Sequence, residues 1–374
     1  MDEYTEVTQR SGCSRLTESV KELLMGLLLF LGSFGLLFWN EGRAVTQARA
    51  LGEGRGAVVT VSPERVDRTY QDRLVHVSGR AAASGVLQDD EFGVSSRDAL
   101  RLRRTVEMYQ WEESSSSHTR KKVGGGEETV TTYTYEKAWS DQPVNSAGFK
   151  DKSHRNPGAF PVRSRSWSAD PVRLGAFTLG PALTARIEAW QDLPAPPRAP
   201  AGMVPGDGGL YRGRSPGSPQ VGDVRIRFQA VPATEVTVVA VQFGNSFRPY
   251  RAGNGQELLE LALGRKSASE MFQAMEQSND RSTWNFRFLG FGCMFGALVL
   301  LMGPVNVLVG ALPLVGDLAR LGSLLLALLL AATLSTATIA VSWIAVRPLV
   351  GVGLLAGVLG VLAGVLGLVR RRSA

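Results

Sequence analysis

The chain has 374 residues, and its polar middle is long enough to form one or two domains with their own buried core. The formal net charge is +7 at pH 7, but lysine and arginine are interleaved with aspartate and glutamate, which argues against a nucleic-acid-binding protein. The cysteines, Cys13 and Cys293, both lie outside the polar middle, so a disulfide framework or a thiolate metal site is excluded there.

The hydrophobic residues, 44% of the chain, are concentrated at its two ends. One apolar run extends from Leu23 to Trp39, and the chain turns apolar again from about Trp284 to Val369. A helix that crosses the bilayer needs about 20 predominantly apolar residues. The sequence therefore predicts an α+β membrane protein with four transmembrane helices, one N-terminal and three C-terminal. A large β-rich extramembrane domain is inserted between the first and the second.

We divide the chain into five segments. They are a cytoplasmic tail (1–22), transmembrane helix 1 (23–39), a β-rich periplasmic or luminal domain (40–284), transmembrane helices 2 to 4 (285–369) and a basic cytoplasmic tail (370–374). Helix 1 is expected to be an uncleaved anchor, because no small-residue cleavage site follows it closely. Helices 2 to 4 are expected at about 286–308, 322–345 and 349–369, with a short turn or an interfacial piece over 309–320.

The side of the membrane follows from the number of crossings and the terminal charges. Four crossings place both chain termini on one side. Arg370 to Arg372 directly follow the last apolar run, and such basic flanks lie in the cytoplasm. We therefore expect the large domain on the opposite side.

The middle domain contains short β-branched and aromatic stretches bounded by turn-forming residues, which is typical of β-strands. Strands are predicted at 56–61, 74–79, 104–111, 128–139, 171–177, 221–228 and 235–243. We expect 104–111 and 128–139 to pair as a hairpin, so that Tyr109, Trp111, Tyr133, Tyr135 and Trp139 share one sheet. The serine-, lysine- and glycine-rich residues 114–126 should form its loop. Further on, Ser267 and Glu270 form a capping-box pattern, which predicts the start of a helix.

Motifs for catalysis or metal binding are missing from the sequence. His76, His118 and His154 have no partner at metal-ligand spacing, and the sequence lacks a phosphate-binding loop and a nucleophile elbow. A membrane-bound enzyme acting on lipid or envelope polymer could use Asp223 or Glu107. A turn and the polar face of a strand are the simpler interpretations of these two residues. We therefore predict no catalytic residue, cofactor or metal, and a non-enzymatic protein.

Small residues mark the last two predicted helices. Glycines recur in the fourth at spacings of four and three residues: Gly353, Gly357, Gly360, Gly364 and Gly367. Such a seam lets helix backbones approach closely in lipid, either within one chain or between copies, and the second alternative predicts a homo-oligomer. On the third helix, the hydroxyls of Ser335, Thr338 and Ser342 can bond to backbone carbonyls or across helices. A channel is the least favoured function, because no charged residue lies at the centre of these helices.

Several short stretches occur along the chain in a recognisable order. They are Asn40-Glu41-Gly42-Arg43 after helix 1, Glu107-Met108-Tyr109-Gln110-Trp111 and Asn156-Pro157 in the domain, Gly222-Asp223 before a late strand, and Trp343 with Arg347-Pro348 at the end of the third helix. Together they resemble the transmembrane protein 43 family, also called LUMA. The similarity covers nearly the whole chain.

The resemblance implies four membrane spans, a luminal or periplasmic domain, and a scaffold that self-associates and organises membrane or envelope protein complexes. Expected partners are membrane lipid, further copies of the chain and other membrane proteins. Animal members lie in the endoplasmic reticulum and inner nuclear membrane. The high content of arginine, alanine, glycine and leucine indicates a bacterial source, for which the bacterial inner membrane is expected.

Overall fold

The computed structural model describes residues 2–10, 12–121, 127–196, 199–206, 208–303, 315–344 and 357. The described residues fold as two compact units. The β unit lies within Met1–Glu6, Gly52–Ser117 and Val130–Phe272, and the helical unit lies within Val7–Leu51, His118–Thr129 and Gln273–Ala374.

The described residues contain three long helices, which are α1 (Gly12–Ala57), α3 (Ala268–Leu301) and α4 (Val315–Ile344). A short helix α2 (Pro181–Thr184) and 3₁₀ turns at Arg68–Tyr70 and Ser146–Gly148 lie between α1 and α3. Three segments are long and apolar enough to cross a membrane, namely Lys21–Ala57, Ala268–Leu301 and Leu321–Ile344. The predicted fourth span, 349–369, lies outside the described residues except for Gly357. The described chain thus has three candidate spans rather than four, two of them C-terminal.

The strands of the described residues are mostly short. In chain order they are β1 (Asp2–Arg10), β2 (Val59–Thr60), β3 (Leu74–Ala83), β4 (Val86–Asp89), β5 (Val94–Arg97), β6 (Arg101–Lys121), β7 (Glu127–Ser140), β8 (Arg165–Ser168), β9 (Val172–Leu174), β10 (Phe177–Leu179), β11 (Gln191–Leu193), β12 (Val204–Gly206), β13 (Gly209–Arg212), β14 (Val224–Val231), β15 (Thr234–Phe243), β16 (Ser246–Arg248), β17 (Tyr250–Arg251), β18 (Glu257–Leu258) and β19 (Glu260–Leu263).

Two larger sheets organise these strands. The first has the order β1-β7-β6-β14-β13-β12, with β11 added to β14 and β8 added to β6. The second has the order β10-β9-β3-β15-β16, with β19 added to β15 and β2 added to β3. Strand β14 shows why the sheet forms: Val224, Ile226 and Phe228 alternate with polar residues and are fully buried, which is the period of a strand with one apolar face.

The bounds of two predicted membrane helices differ from the structure. Helix α1 continues from the predicted end at Trp39 to Ala57. The apolar run indicates only the part of a helix that suits lipid, whereas the alanine- and arginine-rich residues that follow favour helix in water as well. The predicted strand at 56–61 is therefore reduced to Val59–Thr60. Helix α4 begins at Val315, inside the segment 309–320 for which a short turn or an interfacial piece is predicted.

The predicted hairpin is confirmed, but its loop is much shorter than expected. Strand β6 extends to Lys121 and β7 begins at Glu127, so residues 114–121 belong to a strand. Hydroxyl pairs across the two strands account for this: the side-chain oxygens of Ser117 and Thr131 are 2.9 Å apart, and those of Thr119 and Thr129 are 3.0 Å apart. Such pairs stabilise neighbouring strands even where the surface is exposed.

The N-terminal residues form a strand where a polar tail was expected. In the β unit, Tyr4 packs against Tyr133 with ring centroids 6.2 Å apart, and Glu6 pairs with Lys150 at 2.8 Å. This pairing requires the N-terminus and β7 to lie on the same side of a membrane. A crossing by the apolar run that starts at Leu23 requires them to lie on opposite sides.

The predicted capping box is confirmed at the start of α3. The backbone N–H of Glu270 donates to Ser267 Oγ at 3.2 Å, and the N–H of Ser267 donates to Glu270 Oε2 at 2.6 Å. These reciprocal bonds satisfy N–H groups that a helix leaves unpaired in its first turn. They fix the residue at which the second candidate span begins.

Candidate functional site

A group of polar side chains joins the three long helices within the helical unit. We call it the polar clasp, and it consists of Asn40, Glu41 and Arg43 on α1, Asn279, Thr283 and Arg287 on α3, and Trp343 on α4. The α3 members are four residues apart, so they lie on one face of that helix.

Glu41 lies at the centre of the clasp with only 1% of its surface exposed. The guanidinium of Arg287 donates to both of its carboxylate oxygens, each at 2.7 Å. The indole N–H of Trp343 also donates to Glu41 Oε2. A buried carboxylate is costly unless it is paired and hydrogen-bonded. These bonds therefore compensate the burial of the Glu41 carboxyl group and join α1, α3 and α4.

The second half of the clasp joins α1 to α3. Asn40 is fully buried and donates to the carbonyl of Thr283 at 3.0 Å. Arg43 donates to Asn279 Oδ1 at 3.2 Å and to Thr283 Oγ1 at 3.1 Å. Asn279 returns a bond to the carbonyl of Ala44 at 3.0 Å. Gly42, the remaining residue of this motif, is exposed and contributes only its carbonyl, which accepts from Thr46 at 2.8 Å.

Apolar packing continues the same three-helix contact next to the clasp. The buried residues are Leu37, Met294, Leu298, Ala327 and Ala331. A Cβ at Gly290 would lie 2.5 Å from a methyl carbon of Leu37, so glycine allows α1 and α3 to approach closely. The hydroxyls of α4 bond in both predicted ways: Thr338 donates to the Leu334 carbonyl and Ser342 to the Thr338 carbonyl, whereas Ser335 Oγ contacts Met294 Sδ on α3 at 3.4 Å.

An open cleft of about 460 Å³ lies beside the clasp in the helical unit. It is lined by Glu41, Ala44, Val45, Ala48 and Arg49 of α1, Asn279, Asp280, Thr283, Trp284 and Arg287 of α3, and Trp343 of α4. The lining therefore combines both signs of charge with indole rings.

A second group of motif residues lies in the β unit, where β6 pairs with β14. Glu107 and Arg225 are directly opposite each other, with Nε–Oε2 and Nη2–Oε1 distances of 2.6 and 2.9 Å. The guanidinium of Arg225 lies 4.6 Å from the ring centre of Trp139, which in turn packs against Tyr109 at 5.2 Å. The sequence prediction that the aromatic residues of β6 and β7 share a sheet is confirmed by this pair.

Asp223 and Gly222 shape the turn before β14. The hydroxyl of Tyr211 and the N–H of Gln220 both donate to Asp223 Oδ2. Burial, followed by the bond to Asp223, raises the pKa of Tyr211 well above its ordinary value. Gly222 has a φ of +95°, a conformation that glycine adopts without strain. Asp223 is thus a turn residue, as its position after glycine indicates.

Gln110 and Trp111 hold the segment that follows β7. Gln110 is fully buried, donates to the carbonyl of Gln142 at 2.9 Å and accepts from the N–H of Val144 at 3.0 Å. The backbone N–H and carbonyl of Trp111 are both bonded to the side chain of Asn156, at 2.7 and 2.9 Å. These two motif residues therefore have structural partners from a distant part of the chain.

Two polar groups in the β unit were not predicted. Arg104 is buried and pairs with Asp89 and Glu91, both at 2.8 Å. Desolvation by burial raises the pKa of Asp89, and Arg104 opposes that change. His154 stacks on Tyr135 with ring centroids 4.2 Å apart and approaches Asp151 at 3.2 Å. Neither group has a sequence signal, because contacts between separate segments bring its members together.

The histidines and the glycine seam are the remaining residues that the sequence singles out. His76 lies in a strand and contacts the carbonyl of Lys266 at 2.8 Å, whereas His118 is exposed. Within the described part of the chain, no three histidine, cysteine, aspartate or glutamate side chains are close enough to hold a metal ion. Gly357 is helical, and a Cβ added there would have no described neighbour within 4 Å. The predicted residues that lie outside the described part are Arg347, Pro348, Gly353, Gly360, Gly364 and Gly367.

Sequence comparison finds relatives over most of this chain. The Transmembrane protein 43 family model matches residues 108–348. Transmembrane protein 43 of Mus musculus is 35% identical over 368 residues, covering 93% of this chain and 90% of that protein. The Homo sapiens protein is 34% identical, covering 92% and 89%. The Drosophila melanogaster homolog is 31% identical, covering 89% and 90%. No solved structure shows a significant match.

These relatives are animal proteins, so the bacterial source inferred from composition is not supported. The similarity to the mouse protein extends over nearly the whole chain, which includes the β unit and the candidate spans. The chain is a membrane protein and belongs to the transmembrane protein 43 family.

Proposed function

We propose that this protein is a non-enzymatic membrane scaffold that self-associates and organises membrane protein complexes. The observation that supports the proposal is that the carboxylates of the family motifs are fully paired with arginines. Both oxygens of Glu41 are bonded by Arg287, and both oxygens of Glu107 are bonded by Arg225. General acid–base catalysis needs a carboxylate that can reach a substrate proton. These side chains instead hold secondary-structure elements together.

The lipid-facing surface of the helical unit supports association. Large apolar side chains remain exposed along α1 and α4, including Leu28, Leu31 and Leu329. In a membrane they face lipid or another helix. Together with the glycine seam predicted beyond α4, they favour contacts between copies.

Self-association is tested by coexpressing two copies with different tags and capturing one in mild detergent. We expect the second tag to be recovered, and recovery to fall in the Gly357→Leu/Gly360→Leu variant. A matched control is Gly32→Leu/Gly35→Leu, since these α1 glycines have the same spacing and open space around each Cβ position. Absence of the second tag from the unmodified pair would refute self-association, and equal losses in both variants would refute the role of the seam.

We further propose that the protein lies in the endoplasmic reticulum or inner nuclear membrane, with its β-rich domain in the lumen and the basic C-terminus in the cytoplasm. For the N-terminus, two interactions compete. Transferring each exposed leucine of α1 into lipid contributes about 1.5–3 kcal/mol, whereas each cross-strand pair of β1 contributes about 0.2–1 kcal/mol. We therefore expect the crossing to prevail over the pairing of β1 with β7.

Topology is tested with protease added to sealed microsomes. An epitope at residue 1 and one at residue 374 should both be removed, while an epitope inserted at the exposed Gly85 turn should survive. Protection of the N-terminal epitope alone would show that β1 stays on the β-domain side. Digestion at Gly85 would refute the luminal assignment.

A further inference from the structure

We propose that the cleft beside the polar clasp binds the headgroup of a zwitterionic phospholipid. This inference goes beyond scaffolding, because it assigns a ligand to a site that the scaffold proposal does not use.

The cleft lies where all three candidate spans change from apolar to polar. The apolar run of α1 ends at Trp39, α3 becomes apolar after Trp284, and in the sequence Arg347 and Pro348 follow Trp343 of α4 closely. Tryptophan is enriched at the membrane–water interface, where its ring is apolar and its N–H is polar. A cleft at the membrane–water interface is accessible to lipid headgroups as well as to soluble ligands.

The charges of the lining match a zwitterion. Arg49 and Arg287 carry positive charge, whereas Glu41 and Asp280 carry negative charge, so the lining has no net charge. Arg287 and Glu41 neutralise each other in the clasp. Arg49 and Asp280 are exposed and form no ion pair with another described residue. One unpaired cation and one unpaired anion are therefore available to the cleft.

Each of these two charges suits one half of the headgroup. Guanidinium groups bind phosphate oxygens through charge-assisted hydrogen bonds, which assigns the lipid phosphate to the side of Arg49. A carboxylate beside an aromatic face suits an ammonium or trimethylammonium group. Asp280 and the exposed ring of Trp284, which both line the cleft, provide that combination.

The size and surroundings of the cleft fit the same ligand. Its volume of about 460 Å³ lies within the range of small-molecule sites. Phe288 and Leu289 follow Trp284 on α3, and both side chains are exposed. Acyl chains attached to a headgroup in the cleft would therefore meet an apolar surface directly beside it.

The test is isothermal titration calorimetry. Dihexanoyl-phosphatidylcholine, kept below its critical micelle concentration, is titrated into the full-length protein in detergent. We expect saturable binding, with affinity lowered about tenfold or more in Arg49→Gln and in Asp280→Asn, since each removes one charge-assisted contact. Both residues are exposed, so these variants should fold normally. Trp284→Ala should weaken binding as well.

Two matched controls separate the cleft from general membrane affinity. Trp39 has the same 54% exposure as Trp284 but does not line the cleft, and Arg281 is exposed on α3 outside the lining. Trp39→Ala and Arg281→Gln should leave the affinity unchanged. No saturable binding, or equal losses in the control and cleft variants, would overturn the proposal. Equal or tighter binding of dihexanoyl-phosphatidylglycerol would refute zwitterion selectivity.

Discussion

The protein contains two arginine–carboxylate pairs of nearly the same geometry in different surroundings. In the helical unit, Arg287 pairs with Glu41 and lies 4.9 Å from the ring centre of Trp284. In the β unit, Arg225 pairs with Glu107 and lies 4.6 Å from the ring centre of Trp139. The Glu41 side chain is 1% exposed, whereas that of Glu107 is 20% exposed.

Burial rather than geometry should decide how much each pair matters. Removing one partner of a buried pair leaves an uncompensated charge and costs about 3–5 kcal/mol. For pairs that water can reach, the contribution falls to about 0.2–1 kcal/mol. We therefore expect the same ion pair to be required between the helices in one place and to be a minor cross-strand contact in the other.

The largest effect is expected from Glu41→Gln. It removes the charge that compensates Arg287, whose side chain is only 17% exposed, and weakens the bond from Trp343, so we expect a loss of about 3 kcal/mol or more in stability. Denaturation with sodium dodecyl sulfate, followed by circular dichroism at 222 nm, measures this change. Hydrogen exchange should rise in peptides covering residues 40–50 and 279–287. Exchange at wild-type rates there would show that the clasp does not hold the helices together.

The sequence singles out the glutamate of each pair but does not indicate the arginine with which it pairs. Glu41 and Glu107 stand out through the family motifs. Arg287 lies inside the apolar segment predicted to cross the membrane, where nothing indicates a partner 246 positions earlier. A polar residue at every fourth position, Asn279, Thr283 and Arg287, is the signal that marks this face of α3. That signal predicts a buried helix contact but not which helix provides it.

The fold shows the same division. Alternation in β14 and the capping box of α3 are local patterns, and both are confirmed. The length of β6 depends on side-chain pairs with β7, and there the prediction is wrong. Local periodicity identifies the type of element, whereas tertiary partners decide where it stops.

A second buried pair tests whether burial alone explains the difference. The Arg104 side chain is 4% exposed in the β unit and pairs with Asp89. Arg104→Met should cost about 3 kcal/mol, because it leaves Asp89 without its cation. Thermal unfolding of the full chain measures the loss, and Arg165→Met is the control, since Arg165 is exposed on the neighbouring strand. If Arg104→Met loses less stability than the control, burial does not explain why the protein depends on the pair of Glu41 and Arg287.

The pH dependence of this variant provides an internal check. Burial raises the pKa of Asp89 in the folded protein. A raised folded-state pKa contributes stability at pH below the unfolded pKa of about 3.9, and that contribution is lost as pH rises through the folded-state value. Without Arg104, protonation relieves the buried charge. The deficit of the variant should therefore be smaller in acid than at neutral pH.

An intermediate effect is expected at Tyr211, which is buried and donates to Asp223. Its raised pKa means that the folded protein holds the proton after the unfolded chain has lost it, so stability falls as pH rises above about 10. The expected slope is about 1.4 kcal/mol per pH unit for this group. Urea unfolding between pH 8 and pH 11 measures it. Tyr211→Phe should be less stable at pH 8 but show a shallower alkaline decline. An unchanged slope would mean that Tyr211 titrates normally.

The smallest effect is expected from Glu107→Gln, the counterpart of Glu41→Gln on the sheet. Water reaches both partners, and the amide of glutamine still accepts one bond from Arg225, which also retains its contact with Trp139. We expect a loss below about 1 kcal/mol, and less in high salt because exposed ion pairs are screened. The same denaturant titration should be applied to both variants. If Glu107→Gln lowers the stability as much as Glu41→Gln does, burial does not distinguish the two pairs. The contribution of each arginine would then come from its stacking against tryptophan.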